Sequence, residues 1–286
     1  MSGFTPQLHV LSNARIGALV WPREHGAWGM LLVPLATGAW IGLSSGHRVL
    51  SLILFSVAVL ALFCLRTPLE AWLETSPFRA HTPLERQVVL YSMMAYASIA
   101  AAALGMLFLR EQAYGLLPLG AAVGATFLAQ ALLRKWGRQN RIAAQLIGSL
   151  GLTSTAAGAY YVVAGRLDST ALLLWAANWV FAANQIHFVQ VRIHSARAAT
   201  PAEKLARGRG FLIGEALTVL LLALAWRLGI LPGLATLAFL PVLIRGVSWF
   251  FARPAPLNVH RLGFGELGYA LAFGVLFILG FQLPLR

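Results

Sequence analysis

The residues best equipped for chemistry fall in one run, Asn184-Gln185-Ile186-His187-Phe188-Val189-Gln190-Val191-Arg192-Ile193-His194-Ser195-Ala196-Arg197. At helical spacing Asn184, His187, Gln190, His194 and Arg197 share one broad face, while Asn178, Gln185 and Arg192 share another. The run closes an apolar stretch. Polar side chains at membrane depth are costly enough that they mark a cavity or a pathway. The chemistry on offer is anion binding with proton transfer. Arg192 would contact the anion through its fork of donors, and Asn184 and Gln190 would orient the ligand. His187, an imidazole with an ordinary titration near neutrality, would give or take the proton. No metal is expected: His187 and His194 stand two turns apart without a carboxylate or thiolate at ligand spacing.

Three further places carry charge near apolar runs. Pro22-Arg23-Glu24-His25-Gly26-Ala27-Trp28 opens the first apolar segment. Arg23 and His25 either face a cavity and hold an anion or, with Trp21 and Trp28, anchor the chain at the interface. Arg66-Thr-Pro-Leu-Glu70-Ala-Trp-Leu-Glu74 ends the second segment; Arg66 would contact the anion with Arg23 and Arg192, and Glu70 and Glu74, sharing a face if the piece is helical, could bind a cation or trade a proton. Glu215 and Glu266 each sit about a turn inside later segments. An unpaired buried carboxylate would take up a proton, so each is expected to pair with a cation, with Arg192, Arg245 and Arg66 as the choices. Glu215 and Glu266 would then hold the cations of a ligand site in place, and a purely structural ion pair is the plainer alternative.

The elements that must position these groups are set by composition. Of 286 residues 59% are hydrophobic and 11% charged, and mean hydropathy is +0.74. That much apolar surface has no place in a soluble domain of this size. Nine apolar segments, near 27–45, 49–65, 87–109, 115–133, 142–164, 170–191, 210–227, 229–250 and 263–282, each have about the length a helix needs to cross a bilayer. In lipid the backbone must satisfy itself, so the fold class is all-α: a polytopic helical bundle in one integral-membrane domain over 1–286. Seventeen of the 22 Lys and Arg fall on one side of the alternating loops, which makes that side cytoplasmic, with the N-terminus in and the C-terminus out. The net charge of +13 is explained the same way, and nucleic acid is not an expected partner. Met1–Val20 lacks the pattern of a cleavable signal peptide. The single Cys64 excludes a disulfide framework. Pro34 should kink the first helix. Gly120 with Gly124, and Gly148, Gly151, Thr155 and Gly158, have the spacing of helix-packing stripes.

Trp21-Pro-Arg-Glu-His-Gly-Ala-Trp-Gly-Met-Leu-Leu-Val-Pro34 resembles the opening of the YwiC-like family, bacterial membrane proteins of unassigned function, and the resemblance would extend over most of the chain. More distantly, the architecture is similar to the UbiA superfamily of membrane prenyltransferases, in which nine helices enclose a chamber near the cytoplasmic face. There, two aspartate-rich motifs, ending helices 2 and 6, hold Mg²⁺ for an isoprenyl diphosphate. Arg66 to Glu74 and Asn184 to Arg192 stand in those places, and the second offers no carboxylate for a hard cation. The resemblance therefore implies a bound isoprenoid or lipid phosphate met by Arg and His, without a metal or other cofactor. An enzyme, a degenerate prenyltransferase, is one form of this reading. Membrane lipids are the expected partners and the inner (plasma) membrane the expected location. A transporter of a small anion or proton-coupled solute is the main alternative, opposed by the lack of an inverted repeat or of matched interrupted helices. A non-catalytic membrane scaffold is the third.

Overall fold

The computed structural model describes residues 13–23, 25–73, 79–196, 198, 200–252 and 257–283. In chain order its helices are α1 (Asn13–Val20), α2 (His25–Leu43), α3 (Val49–Trp72), α4 (Pro83–Leu109), α5 (Leu116–Lys135), α6 (Arg141–Thr153), α7 (Thr155–Ala164), α8 (Ser169–His194), α9 (Pro201–Arg227), α10 (Gly233–Leu237), α11 (Leu240–Phe251) and α12 (Val259–Gln282). No strand occurs among the described residues. Among the same residues, nine helical stretches are long and apolar enough to cross a membrane, so the chain is a multi-pass helical membrane protein. Several helices run past the apolar segments into polar sequence. α3 continues seven residues beyond Leu65, and α9 begins nine residues before Gly210.

Two of the nine spans are broken, where unbroken helices were expected. The fifth divides between α6 and α7 at Ser154. There Thr153, Ser154 and Thr155 turn their hydroxyls back onto carbonyls three or four residues earlier, at 2.7–3.3 Å, competition that bends a helix. Trp175 and Trp179 of α8 donate their indole N–H groups to the carbonyls of Leu150 and Leu146. The eighth span divides between α10 and α11, where Pro241 lies in the first turn of α11 and has no N–H to continue the ladder. Pro34 lies inside α2 as expected. Beside it is a void of about 10 Å³, room for roughly one water, lined by Met30, Pro34, Thr153, Asn178 and Gln185 among others.

The chain forms two compact units, residues 1–24 with 53–112, and residues 25–52 with 113–286. In the first, α1 packs on α4 around buried Leu19, Ala71 and Val89. Arg15 donates to Glu85 at 2.8 Å and to the Arg79 carbonyl at 2.7 Å. That carboxylate holds the Arg15 guanidinium above its ordinary pKa. Glu85 also closes a capping box with Thr82 at the start of α4.

In the second unit α2 packs mainly against α7 and α12, α6 against α5 and α8, and α8 against α9. Glycine makes the closest approach. A Cβ on Gly38 would fall on the Ala156 carbonyl, one on Gly42 would lie 3.2 Å from the Tyr160 Cα, and one on Gly46 would strike Val163. Gly38, Gly42 and Gly46 therefore form a seam at i, i+4 spacing that brings the α2 and α7 backbones together. The stripe expected to pack, Gly120 with Gly124, meets nothing within 4 Å. Gly148 and Gly151 do lie against α5, at Gln130 and Thr126. Asp168, the only aspartate, caps α8 through the N–H groups of Thr170 and Ala171 and pairs with Arg166 at 2.8 Å. Exposed large apolar side chains such as Phe127, Leu128, Leu220 and Leu224 suit helices surrounded by hydrocarbon.

Candidate functional site

α8 runs through the middle of the second unit, and its polar residues reach out to different neighbours. Asn178 donates to Thr37 on α2 at 3.1 Å and to its own Leu174 carbonyl at 2.8 Å. Gln190 donates to Gln145 on α6 at 2.9 Å. Gln185 donates to the Glu266 carbonyl on α12 at 2.7 Å. The expected single face of Asn184, His187 and Gln190 is therefore divided: Gln190 turns to α6, whereas Asn184 turns to α9 and α11.

Asn184 is the centre of a buried chain of charge. Its amide donates to Glu215 Oε1 on α9 at 3.0 Å, and its carbonyl accepts from Arg245 Nη2 on α11 at 3.0 Å. Arg245 Nη1 forms an ion pair with Glu266 Oε2 on α12. Asn184, Glu215, Arg245 and Glu266 are all at most 7% exposed. The Arg245 guanidinium lies over the Phe188 ring at 4.0 Å and the Tyr269 ring at 5.0 Å, which compensates part of its lost hydration. Gly246 makes the approach of α9 possible, because a Cβ there would collide with Glu215 Oε1 and Phe211. Two atoms of the network find no hydrogen-bond partner: Glu215 Oε2 and Arg245 Nε. Of the three cations considered for the two carboxylates, Arg245 is the one chosen by Glu266. Arg245 lies inside α11, within the apolar segment expected over 229–250.

Where α8 and α11 end and α9 begins, cations and aromatic rings gather. Lys204, 3% exposed, donates from Nζ to the carbonyls of Trp249 and Ala252 at 3.2 and 2.6 Å. It thereby satisfies orphan carbonyls at the C-terminus of α11. Its ammonium is 5.1 Å from the Trp249 ring. Half-buried Arg192 sits 5.9 Å from both the Phe188 and Trp249 rings, and among the described residues no carboxylate or carbonyl takes its N–H groups. The Ser195 hydroxyl, one turn on, is buried and unpartnered. His187 is half-buried, edge-on to Phe211 at 5.4 Å, with Nδ1 3.2 Å from where a Cβ on Gly214 would stand.

The remaining expected site residues lie in the first unit or beyond what is described. Arg66 pairs with Glu70 at 2.8 Å across one helical turn, both about 31% exposed. Arg23 is exposed and donates to the Ala14 carbonyl at 3.2 Å. Glu24, Glu74, Arg197 and the side chain of His25 are outside the described residues. Among the described residues at the two places where the resemblance puts aspartate-rich motifs, the donors do not suit Mg²⁺. Glu70 holds Arg66, Asn184 is spent on Glu215 and Arg245, and Arg192 adds positive charge. Among the described residues no group of three His, Cys, Asp or Glu could hold a metal ion.

Sequence reasoning missed Lys204, Trp249, Phe188 and Tyr269 as parts of this cluster, and it treated Arg245 as a partner without foreseeing its bond to Asn184. The signal available was Arg245-Gly246 inside an apolar run, a charge beside the one residue type that leaves room for its neighbour's partner.

Nine apolar helices among the described residues, with a buried Arg–Glu–Asn chain among four of them, define a polytopic helical membrane protein. Residues 21–161 match the model of the YwiC-like protein family, from Trp21 to the middle of α7. The resemblance read from Trp21 to Pro34 thus holds over that segment, and the buried network lies beyond it. No curated protein and no solved structure matches the chain.

Proposed function

We propose that this is a protein of the bacterial inner (plasma) membrane that binds the anionic headgroup of a lipid, isoprenoid phosphates among them, where α8 and α11 end and α9 begins. One observation carries the reading. Two arginines share the Phe188 ring, and only Arg245 has a carboxylate. Arg192 keeps its five N–H donors unused while two rings hold its guanidinium in place. That is a preorganised fork for phosphate oxygens. Lys204 adds a second positive charge beside Trp249, and the Ser195 hydroxyl a further donor. The excess of Lys and Arg at this end of the helices favours its placement on the cytoplasmic side, where anionic headgroups are abundant. His187 is the group available for proton transfer if the bound lipid reacts.

The test is thermal stabilisation of the purified protein by farnesyl and geranylgeranyl diphosphates, each with Mg²⁺ and with EDTA. Stabilisation that survives EDTA and disappears in Arg192→Gln is expected. Equal stabilisation of the folded variant removes Arg192 from the site. A strict Mg²⁺ requirement would point to carboxylate-held metal and to a transferase.

Transport is the second reading, and the two broken spans favour it, because discontinuous helices line the binding sites of many transporters. Reconstituted uptake of anionic solutes in liposomes separates it from a lipid-binding role.

A further inference from the structure

Glu215 differs from every other buried charge in the second unit. Arg245 is neutralised by Glu266, and Lys204 is held by two helix-end carbonyls. Glu215, 5% exposed in the middle of α9, receives one N–H from Asn184 on Oε1 and nothing on Oε2. The nearest guanidinium, Arg245, reaches it only through Asn184. A carboxylate taken out of water needs several donors or a direct cation. With one amide and a bare second oxygen, the group is complete when Oε2 carries a proton.

The geometry points to Glu215 as a proton-binding site inside the membrane, at the open end of the Glu215–Asn184–Arg245–Glu266 chain. The charged and titratable groups around it are few. α8 brings His187 one turn beyond Asn184, and Arg192 two turns beyond it. α11 brings Arg245, and α12, behind it, brings Glu266. α10, the other helix packed on α9, has no titratable side chain. His187 lies against Gly214, one residue from Glu215 along α9, and its ring makes no hydrogen bond within the described residues. On release the Oε2–H bond breaks and its electron pair stays on oxygen. The proton passes to water, which becomes hydronium. The new negative charge is shared with Arg245 through the Asn184 amide. A metal cation is a poorer occupant, since Glu215 Oε2 is a single open oxygen and hard divalent cations take about six oxygen ligands.

The experiment is infrared difference spectroscopy of the full chain in detergent, in H₂O and D₂O, comparing wild type with Glu215→Gln. The expected result is a protonated-carboxyl C=O band in wild type that shifts in D₂O and is lost in Glu215→Gln. The band persists in Glu203→Gln, a carboxylate outside the network. Absence of the band from wild type wherever the protein stays folded overturns the proposal, as does its persistence in Glu215→Gln. Loss of the band on adding Na⁺ or K⁺ makes the site a cation site and overturns it too. Because Gln copies the shape of the neutral acid, Glu215→Gln should fold and melt close to wild type. Its failure to fold would show that the charge is needed, against the proposal. None of these outcomes depends on whether Arg192 binds an anion.

Discussion

Glu266→Gln removes one charge from the buried network and almost nothing else. The new side chain has the same shape, and the bond from Gln185 goes to the backbone carbonyl of residue 266, so it survives. What changes is Arg245. Its guanidinium loses its carboxylate while keeping Asn184 and the two rings, and Nε is already unpartnered. Stranding a buried charge in this way costs about 3–5 kcal/mol. The stacking on Phe188 and Tyr269, worth about 2 kcal/mol when desolvated, is already present in the wild type and returns none of this loss. The expected loss is therefore about 3 kcal/mol or more, read by reversible unfolding in bicelles. Arg245→Met should cost as much, because it leaves Glu266 unpaired and the Asn184 carbonyl unsatisfied. The double variant removes both charges and leaves only neutral groups short of partners, that carbonyl and the amide of the new Gln, at about 1–3 kcal/mol each. It should thus be more stable than Arg245→Met and cost less than the two single variants together, with a coupling of at least about 2 kcal/mol. A loss below about 1 kcal/mol for Glu266→Gln, or a double variant no better than Arg245→Met, would refute a compensated ion pair in a dry interior.

Gly246→Ala places a Cβ against Glu215 Oε1 and Phe211. It should cost about 1–3 kcal/mol, and a melting point unchanged from wild type would show that α9 and α11 are not this close. Gly38→Leu should disrupt the α2–α7 seam by a similar amount or prevent folding, while Gly120→Leu, with open space around it, should stay within about 0.5 kcal/mol; comparative melting decides. Lys204→Met strips the Trp249 and Ala252 carbonyls of their donor and should cost about 1–3 kcal/mol, with faster amide exchange at the end of α11.

The spans were legible because lipid imposes one rule on every apolar run: enough residues to cross, and a backbone satisfied within the helix. The two breaks obey local rules that periodicity does not carry. The fifth span breaks at Ser154 because three consecutive hydroxyls take carbonyls that the backbone ladder would use, and Pro241 breaks its span by a missing donor. Seen on a helical wheel, the polar residues of α8 look like one wall of a chamber, because a wheel shows direction without neighbours. In the fold α8 is surrounded, so each direction meets a different helix. Arg245 as the partner of Glu266 was one choice among three, since pairing depends on tertiary approach. Gly246, which allows Glu215 to come near, carries no charge to announce itself. Asp168, by contrast, caps α8 at a position before Ser169-Thr170 that already fits the role.

The glycine seam between α2 and α7 sets an order of events during synthesis. α2 leaves the ribosome early, but the groove that receives Gly38 is built from residues roughly 120 positions later, around Ala156. At about 5–20 residues per second, α2 waits in the bilayer for roughly 6–24 s before that groove exists, and longer still for α12. During that wait its small-residue face has only lipid, the earlier helices α3 to α6 or another membrane protein to lie against. A membrane chaperone that shields Gly38, Gly42 and Gly46 until α7 arrives would therefore act within a time window fixed by the linear order of the helices.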